Sequence, residues 1–232
     1  MALPKLDTPI FETVIPSTGK LIEYRPFLVK EEKILMMAQE SKDPAQAISA
    51  LKKIINSCTF GKVDANALTT YDAEYLFLQL RIKSVGETTE FKIKDEETGT
   101  PVDVTVDLTE VEVKFPKEKP ESTVMLNDKI GLTLKEVTLK DAVGLSGVDL
   151  KDVTTLVASV IDTVFDDETV HTKDTMSKAD LTAFIESMNH KQLELIQNFI
   201  ENQPNISKEI EFTGPTGHKN KITLRGLQDF FG

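Results

Sequence analysis

The spacing of apolar and polar residues predicts three β-hairpins, one near each end of the chain and one between them. In each, two stretches in which apolar and polar residues alternate flank a turn that contains a Thr-Gly pair. A period of two is typical of a strand with one buried face, and glycine tolerates the positive φ angles that such turns often need. The turns contain Thr18-Gly19, Thr98-Gly99 and Thr216-Gly217. Identity among the three segments is low, so an internal repeat and convergence on one hairpin design both stay open.

Apolar residues three and four positions apart predict a first block of helices. One helix is predicted at about 29–40, a second from the Asp43-Pro44 pair onward, and a third from Thr69-Thr70 to Gly86. Aspartate is a good N-cap, and proline suits the first helical position because the N–H it lacks would have no partner there.

A second helical block is predicted between residues 153 and 204. The first helix of this block is predicted from apolar residues at helical spacing, namely Val153, Leu156, Val157, Val160, Ile161 and Val164. The sequence from Ser177 to Asp180 resembles a capping box and predicts the start of the next helix, and Pro204 follows the end of the last one.

The two blocks are separated by a short segment that begins and ends with proline. Residues 116–120, Pro-Lys-Glu-Lys-Pro, carry charges and nothing to bury, which is typical of a linker. We therefore predict an α+β fold of antiparallel β-hairpins with two helical blocks. Its N-terminal part would span 1–115, with two hairpins and the first helices, and its C-terminal part 121–232, with the second helical block and the final hairpin.

Composition is that of a globular protein with an acidic surface. The 232 residues include 40% hydrophobic and 28% charged residues, and the formal net charge is −11. Nucleic-acid binding needs clustered Lys and Arg, so we expect no nucleic-acid partner. No stretch approaches the roughly 18 apolar residues that a membrane span requires, and the N-terminus lacks the features of a signal peptide. We expect the protein to be made in the cytosol.

Candidate ligands for a metal are few and scattered. Structural zinc needs about four Cys or His ligands close together, whereas Cys58 and three histidines lie far apart in the sequence. The acidic stretch 162–174 contains no glycine, which an EF-hand loop requires, so a solvated acidic loop after a helix is predicted there. Cys58 ends an apolar helical stripe and is predicted to be a core residue. We predict no metal and no cofactor.

Motifs that would indicate catalysis or phosphate binding do not occur. The sequence contains neither GxxxxGK[ST] nor GxGxxG, and it lacks the GxSxG motif of serine hydrolases. A pair of carboxylates for glycoside hydrolysis can be chosen at will from 38 Asp and Glu residues, so their number indicates nothing. We predict that the chain is not an enzyme.

Several stretches resemble the T4-type bacteriophage baseplate hub family, and they occur in order along nearly the whole chain. The most specific is Tyr24-Arg25-Pro26-Phe27-Leu28-Val29-Lys30-Glu31-Glu32-Lys33. The others are 3–9 with the hairpin at 15–20, 76–81 with 84–87, and Gly226-Leu227-Gln228-Asp229-Phe230-Phe231. The resemblance implies a structural or assembly component of the central hub of a contractile phage tail baseplate, whose partners are other baseplate or tail subunits.

Two alternatives to a hub subunit stay open. One is an assembly chaperone that is absent from the mature virion, and the other, weaker one is a tail-associated hydrolase. The location implied is the host cytoplasm during assembly or the tail baseplate of the virion. Some family members carry Cys-x-x-Cys-Gly in the final hairpin, whereas this chain has Thr213-Gly214-Pro215-Thr216-Gly217-His218 there. The resemblance therefore implies no metal for this hairpin.

Four residues are candidates for interaction with a partner. Pro26 disfavours helix at Arg25, so the helix should begin after Pro26, and Arg25 is expected to pair with a carboxylate inside the protein or on a partner. Leu227, Phe230 and Phe231 fall on one side of a single helical turn after Gly226. Aromatic residues at a chain end are either packed on the protein's own core or available to dock on a neighbouring subunit.

Overall fold

The computed structural model describes residues 6–118, 120–145 and 152–231, and it shows a mixed α+β fold. Helices and small antiparallel sheets follow one another along the chain, so the predicted α+β class is confirmed. The elements of the first part are β1 (Phe11–Val14), β2 (Leu21–Tyr24), α1 (Val29–Ser41), α2 (Pro44–Cys58), α3 (Thr70–Ser84), β3 (Thr88–Lys94), β4 (Pro101–Asp107), a 3-10 turn (Leu108–Glu110) and β5 (Glu112–Lys114).

The elements after the proline-bracketed segment include the second helical block and the final hairpin. They are β6 (Thr123–Met125), β7 (Gly131–Leu134), α4 (Leu139–Leu145), α5 (Val153–Val160), β8 (Ile161–Phe165), β9 (Val170–Thr172), α6 (Lys178–Glu186), α7 (His190–Glu201), β10 (Asn205–Thr213), β11 (Lys219–Arg225) and α8 (Gly226–Phe231).

Helix starts follow the predicted capping chemistry. The side chain of Asp43 accepts a 2.9 Å hydrogen bond from the N–H of Ala45, and Pro44 occupies the first helical position of α2. Ser177 and Asp180 form a reciprocal capping box at the start of α6. These side chains accept hydrogen bonds from backbone N–H groups that have no partner inside the helix.

The predicted hairpins are β1–β2, β3–β4 and β10–β11, and all three are confirmed. In the first turn the N–H of Gly19 donates to the carbonyl of Ile15 (2.8 Å). In the second turn the N–H of Gly99 donates to the carbonyl of Asp95, also at 2.8 Å. Both glycines have φ of 68°, a conformation that side chains with a Cβ rarely adopt. The third turn is one residue shorter and closes between Gly214 and His218.

One predicted helix is too long. The sequence predicts a helix through Val164, but α5 ends at Val160 and the chain continues as strand β8. β8 pairs with β7 on one side and with β9 on the other, and its β-branched residues suit that position. The predicted solvated loop at 162–174 is therefore wrong, because this stretch contains most of β8, the turn at 166–169 and β9.

Three cores hold the elements together. The first lies between the β1–β2 hairpin and helices α1, α2 and α3. The second lies between α3, the β3–β4 hairpin, the final hairpin and α8. The third packs the sheet β6–β7–β8–β9 against α5, α6 and α7. Helix α3 contributes Leu76 and Leu80 to the first core and Leu78 and Ile82 to the second. It is apolar around most of its surface because it is buried on two sides.

The predicted division into 1–115 and 121–232 stays a prediction. Strand β5 pairs with β10, so segments from both sides of residues 116–120 share one three-stranded sheet. The second core likewise combines residues from α3 and β4 with Ile206, Leu224 and Phe230. The final hairpin therefore packs against elements of the first half.

Candidate functional site

Arg25 lies in a buried ion pair that joins three elements. This residue follows β2 and is 7% exposed. The guanidinium donates to Glu31 Oε1 of α1 at 2.9 Å and to Ser57 Oγ of α2 at 3.0 Å. Helix α1 begins at Val29, after Pro26, as the sequence predicts. Of the two alternatives for the carboxylate partner of Arg25, the structure shows the one inside the protein.

Glu31 is the residue that makes this pair rigid. It is 2% exposed, and its carboxylate also accepts hydrogen bonds from Ser57 Oγ (2.7 Å) and from the N–H of Leu28 (2.9 Å). Burial alone would raise the pKa of Glu31, but the hydrogen bonds from Arg25 and Ser57 outweigh it and lower the pKa to about 2. The carboxylate is therefore charged at neutral pH, and Arg25 is held inside the protein.

Cys58 lies beside this pair and is confirmed as a core residue. Its Sγ is 3.7 Å from a guanidinium nitrogen of Arg25. Burial raises the pKa of the thiol to about 11, although Arg25 acts in the opposite direction. Because the thiolate is the nucleophilic form, the protonated Cys58 is poorly suited to covalent chemistry at neutral pH.

The C-terminal turn is helical, as predicted, and packs against the chain's own second core. Phe230 is 1% exposed in that core, and Leu227 is partly buried against it. The side chain of Phe231 lies outside the part of the chain that the structure describes. Of the two alternatives for this helix, packing on the protein's own core and docking on a neighbouring subunit, Phe230 shows the first. A docking role for the C-terminal helix stays a prediction.

A carboxylate of α3 holds the start of α8. Glu74 is largely buried and accepts a hydrogen bond from the N–H of Leu227. A Cβ placed on Gly226, where φ is 64°, would lie 3.2 Å from Glu74 Oε1. Burial raises the pKa of Glu74 to about 7, and the Leu227 N–H offsets only part of that rise. No Lys, Arg or His of the described residues forms an ion pair with it.

Two of the Thr-Gly turns lie side by side and are linked by hydrogen bonds. Asp95, in the β3–β4 turn, accepts from Asn220 Nδ2 of β11 at 2.6 Å, and Asn220 Oδ1 accepts from the N–H of Glu96 at 2.9 Å. At the surface, Thr216 Oγ1 donates to Glu97 Oε2 at 2.5 Å. The second and third hairpins therefore present one rigid, polar end.

Apolar side chains remain exposed on the N-terminal hairpin and on α1. Val14 and Leu21 face each other across the outer side of β1 and β2. Val29, Met36 and Met37 are exposed on α1, and Val29 and Met36, seven positions apart, lie on the same side of the helix two turns from each other. Exposed apolar residues close together are typical of surfaces that another protein covers.

Within the described ranges, no group of three or more Cys, His, Asp or Glu side chains is arranged to hold a metal ion. No helix in those ranges is long and apolar enough to cross a membrane.

Sequence reasoning missed the buried polar partners. Glu31, Glu74, Asp95 and Asn220 look like surface residues in the sequence, since charged and amide side chains are usually exposed. Asp95 carries a usable signal, because an aspartate three residues before a Thr in a tight turn commonly accepts from that residue's N–H. Asn220 carries no local signal, since its partner is 125 residues away.

The profile of one protein family, the T4 bacteriophage base plate protein family, matches residues 8–232. The match covers nearly the whole chain, and the chain therefore belongs to the T4 bacteriophage base plate protein family. The resemblance found in the sequence is confirmed at this level, and membership implies a structural or assembly role in the baseplate with other baseplate subunits as partners. No match was found among curated proteins or among solved structures.

Proposed function

We propose that this protein is a structural or assembly component of the central hub of a contractile phage tail baseplate. The observation that carries the proposal is the match of the baseplate family to residues 8–232. The assignment to the hub rather than to another part of the baseplate rests on sequence stretches that resemble hub proteins. Residues 24–33 and 226–231 are two of them. The exposed apolar side chains of the N-terminal hairpin and α1 support a protein that works by contact with other subunits.

The proposed role in the hub is tested by complementation. A phage that lacks this gene should fail to form complete baseplates, and the gene supplied in the host should restore them. Tagged protein isolated from infected cells should carry hub subunits rather than subunits of the outer baseplate. Recovery of outer subunits alone would contradict the hub assignment and leave the baseplate role in place.

We propose that the protein is not an enzyme. The buried, protonated Cys58 supports this proposal, as does the role that the family implies. The competing function is a tail-associated hydrolase of peptidoglycan. A zymogram with purified full-length protein decides between them, because a cleared band at 25.8 kDa on embedded peptidoglycan would require a hydrolase.

Retention in the virion separates a hub subunit from an assembly chaperone. A subunit should appear in the mass spectrum of purified virions in a fixed ratio to other baseplate proteins. A chaperone should be present in infected-cell extracts, in the host cytoplasm, and absent from the particle. We propose the subunit as the leading role, with no binding to nucleic acid, which a gel-shift assay with phage DNA checks.

A further inference from the structure

A cleft of about 370 Å³ opens where the two helical blocks meet. Five separate parts of the chain form it: Ser17 in the first turn, the start of α3, residues 115–116 with 120 and 122, the end of β7 with Glu136, and the end of α7 with the following Pro204. The walls are mainly rings, from Phe115, Phe199 and three prolines. The cleft therefore exists only in the folded chain, where these segments come together.

One ordered polar pair lies in the cleft. The hydroxyl of Tyr71 donates to Glu136 Oε2 at 3.0 Å. The Tyr71 ring meets Phe115 edge to face, with ring centroids 6.1 Å apart and the planes at 79°. Burial and the neighbouring Glu136 raise the pKa of Tyr71, so the phenol keeps its proton and remains a donor. Tyr71 is 3% exposed, whereas Phe115 is 55% exposed and forms an open wall of the cleft.

The charge that the described residues give this cleft is negative. Among the described residues that line it, Glu136 is the only charged side chain. Tyr71 occupies one oxygen of Glu136, and no donor in the described ranges lies within hydrogen-bond distance of the other. Gln203 donates its amide N–H to the carbonyl of Phe199, which leaves its side-chain oxygen as a second acceptor. The cleft thus combines acceptors and a negative charge with aromatic walls.

A guanidinium group matches these features better than other side chains do. It is planar, carries five N–H donors, stacks on aromatic rings and pairs with carboxylates. A lysine ammonium could pair with Glu136 but would gain less from the ring walls. Arginine is also among the residues that contribute most to binding at protein interfaces, where it inserts into pockets of this kind.

We propose that this cleft is a docking site for an arginine side chain of a neighbouring baseplate subunit, with Glu136 as its counter-ion and Phe115 as its stacking wall. This inference rests on the proposed function, since it assumes that the chain assembles with other subunits. A second copy of this chain is the competing occupant, and it would make the purified protein dimerise through the same cleft.

The chemistry of the cleft is tested with the purified full chain and small probes. Nα-acetyl-arginine amide is titrated into ¹⁵N-labelled protein, with Nα-acetyl-citrulline amide as the neutral probe of the same shape. The arginine probe should shift the amide signals of Tyr71, Phe115 and Gln203, with an affinity about tenfold above that of the citrulline probe. Equal binding of both probes, or shifts elsewhere on the protein, would overturn the proposal.

Variants connect the cleft to assembly. Glu136→Gln keeps an acceptor for Tyr71 and removes the charge, Phe115→Ala removes the exposed wall, and Glu168→Gln is a control with the same charge change on an exposed turn. Both cleft variants should lose the arginine response and recover hub subunits at least about tenfold less well, whereas the control should match wild type. Melting temperatures of all three show whether folding is intact.

The outcomes separate this inference from the proposed function. Normal assembly by folded Glu136→Gln and Phe115→Ala would refute the cleft proposal and leave the hub role untouched. Failure of the wild-type protein itself to recover baseplate subunits would refute the proposed function. If the wild-type protein dimerises and Glu136→Gln abolishes the dimer, the cleft binds a second copy of this chain. That result would overturn the proposal that the cleft binds an arginine of another subunit.

Discussion

The carboxylate of Asp95 accepts a 2.6 Å hydrogen bond from the side-chain amide of Asn220, which lies 125 positions further along the chain. Both residues are buried, and the contact fixes the turn of the second hairpin against the final hairpin. Gly214 completes it, because a Cβ at that position would lie 1.9 Å from Asp95 Oδ2. The close approach of the two turns thus requires an acid, an amide and a glycine together.

Asn220→Ala should lower the free energy of unfolding by about 1–3 kcal/mol, because it removes the hydrogen bonds of the Asn220 amide with Asp95, Glu96 and His218 and leaves buried groups without partners. Urea denaturation followed by circular dichroism measures this change. Thr216→Ala, which removes the exposed hydrogen bond to Glu97 in the same turn pair, should cost about 0.5 kcal/mol or less. Equal losses in the two variants would mean that the buried contact adds nothing specific.

Gly214→Ala should destabilise the protein through a direct clash with Asp95. The loss should shrink when Asp95 is also replaced by alanine, because the shorter side chain removes the atom that the new Cβ meets. A double-mutant cycle in urea measures this coupling. Strictly additive losses would contradict the contact between these two residues.

The turns and helix ends could be predicted from the sequence because their causes are local. The Thr-Gly turns, the Asp43-Pro44 start of α2 and the capping box at Ser177 each depend on residues within four positions of one another. The change from α5 to β8 could not be predicted, because the apolar residues there have helical spacing. Pairing with β7 and β9, which are distant in the sequence or follow later, makes this segment a strand. The pairing of β5 with β10 is non-local in the same way.

The polar residues of the candidate sites are the part that sequence reasoning misses. Arg25 stood out through its neighbour Pro26, but its partner Glu31 is one of 38 acidic residues with no feature that marks it as buried. The cleft at Glu136 depends on five distant segments that come together only in the folded chain. Charge and hydrophobicity patterns along the sequence do not show which distant residues come into contact in the folded chain.

Arg25→Ala should reduce stability by about 3–5 kcal/mol at neutral pH, because it leaves the buried carboxylate of Glu31 without its cation. In the native protein the pKa of Glu31 lies near 2, below its ordinary value of 4.5. The stability that this carboxylate contributes is therefore fully present above pH 4.5 and is lost as the pH falls towards 2. The stability deficit of the variant relative to wild type should therefore be largest above pH 4.5 and shrink as the pH falls towards 2 in an acid titration, because protonation of Glu31 removes the charge that Arg25 compensates.

Arg225→Ala is the matched control, since Arg225 is exposed at the end of β11. It should leave both the urea midpoint and the acid titration unchanged. If Arg25→Ala altered neither stability nor complex formation, the ion pair seen in the structure would have no measurable role.

Glu74→Gln should stabilise the protein at pH 8 and have little effect at pH 4. The pKa of Glu74 is about 7 in the folded protein against 4.5 ordinarily, so the folded chain keeps a proton that the unfolded chain releases. Stability from this group is therefore highest below pH 4.5 and decreases as the pH rises to about 7. A neutral glutamine should remove that decrease and raise Tm at pH 8 by at least about 2 °C, by differential scanning calorimetry.

The exposed Glu211 supplies the comparison for this measurement. Glu211→Gln should leave the dependence of Tm on pH between 4 and 8 as it is in wild type. The same pH dependence in Glu74→Gln as in wild type would show that Glu74 does not hold an extra proton in the folded protein.

Protein purified without chelator should contain well under one zinc per chain in elemental analysis. The reason is the wide separation of Cys58 and the histidines in the sequence and the absence of cysteines from the final hairpin. A stoichiometric zinc that resists dialysis and whose removal lowers Tm would contradict this prediction.

Deleting residues 227–232 should lower the Tm of the isolated protein, because it removes Phe230 from the second core. Phe230→Ala alone should cost about 3–5 kcal/mol, as expected for a fully buried phenylalanine. Met37→Ala on the exposed surface of α1 is the control and should change stability by about 0.5 kcal/mol or less.

A role of the C-terminal helix in docking predicts a different result, namely unchanged melting together with failed assembly when the deletion is used to complement a phage that lacks the gene. Phe231→Ala extends the test, since docking through that residue would impair assembly without lowering Tm. Normal stability together with normal assembly in the deletion would refute both roles for the C-terminal helix.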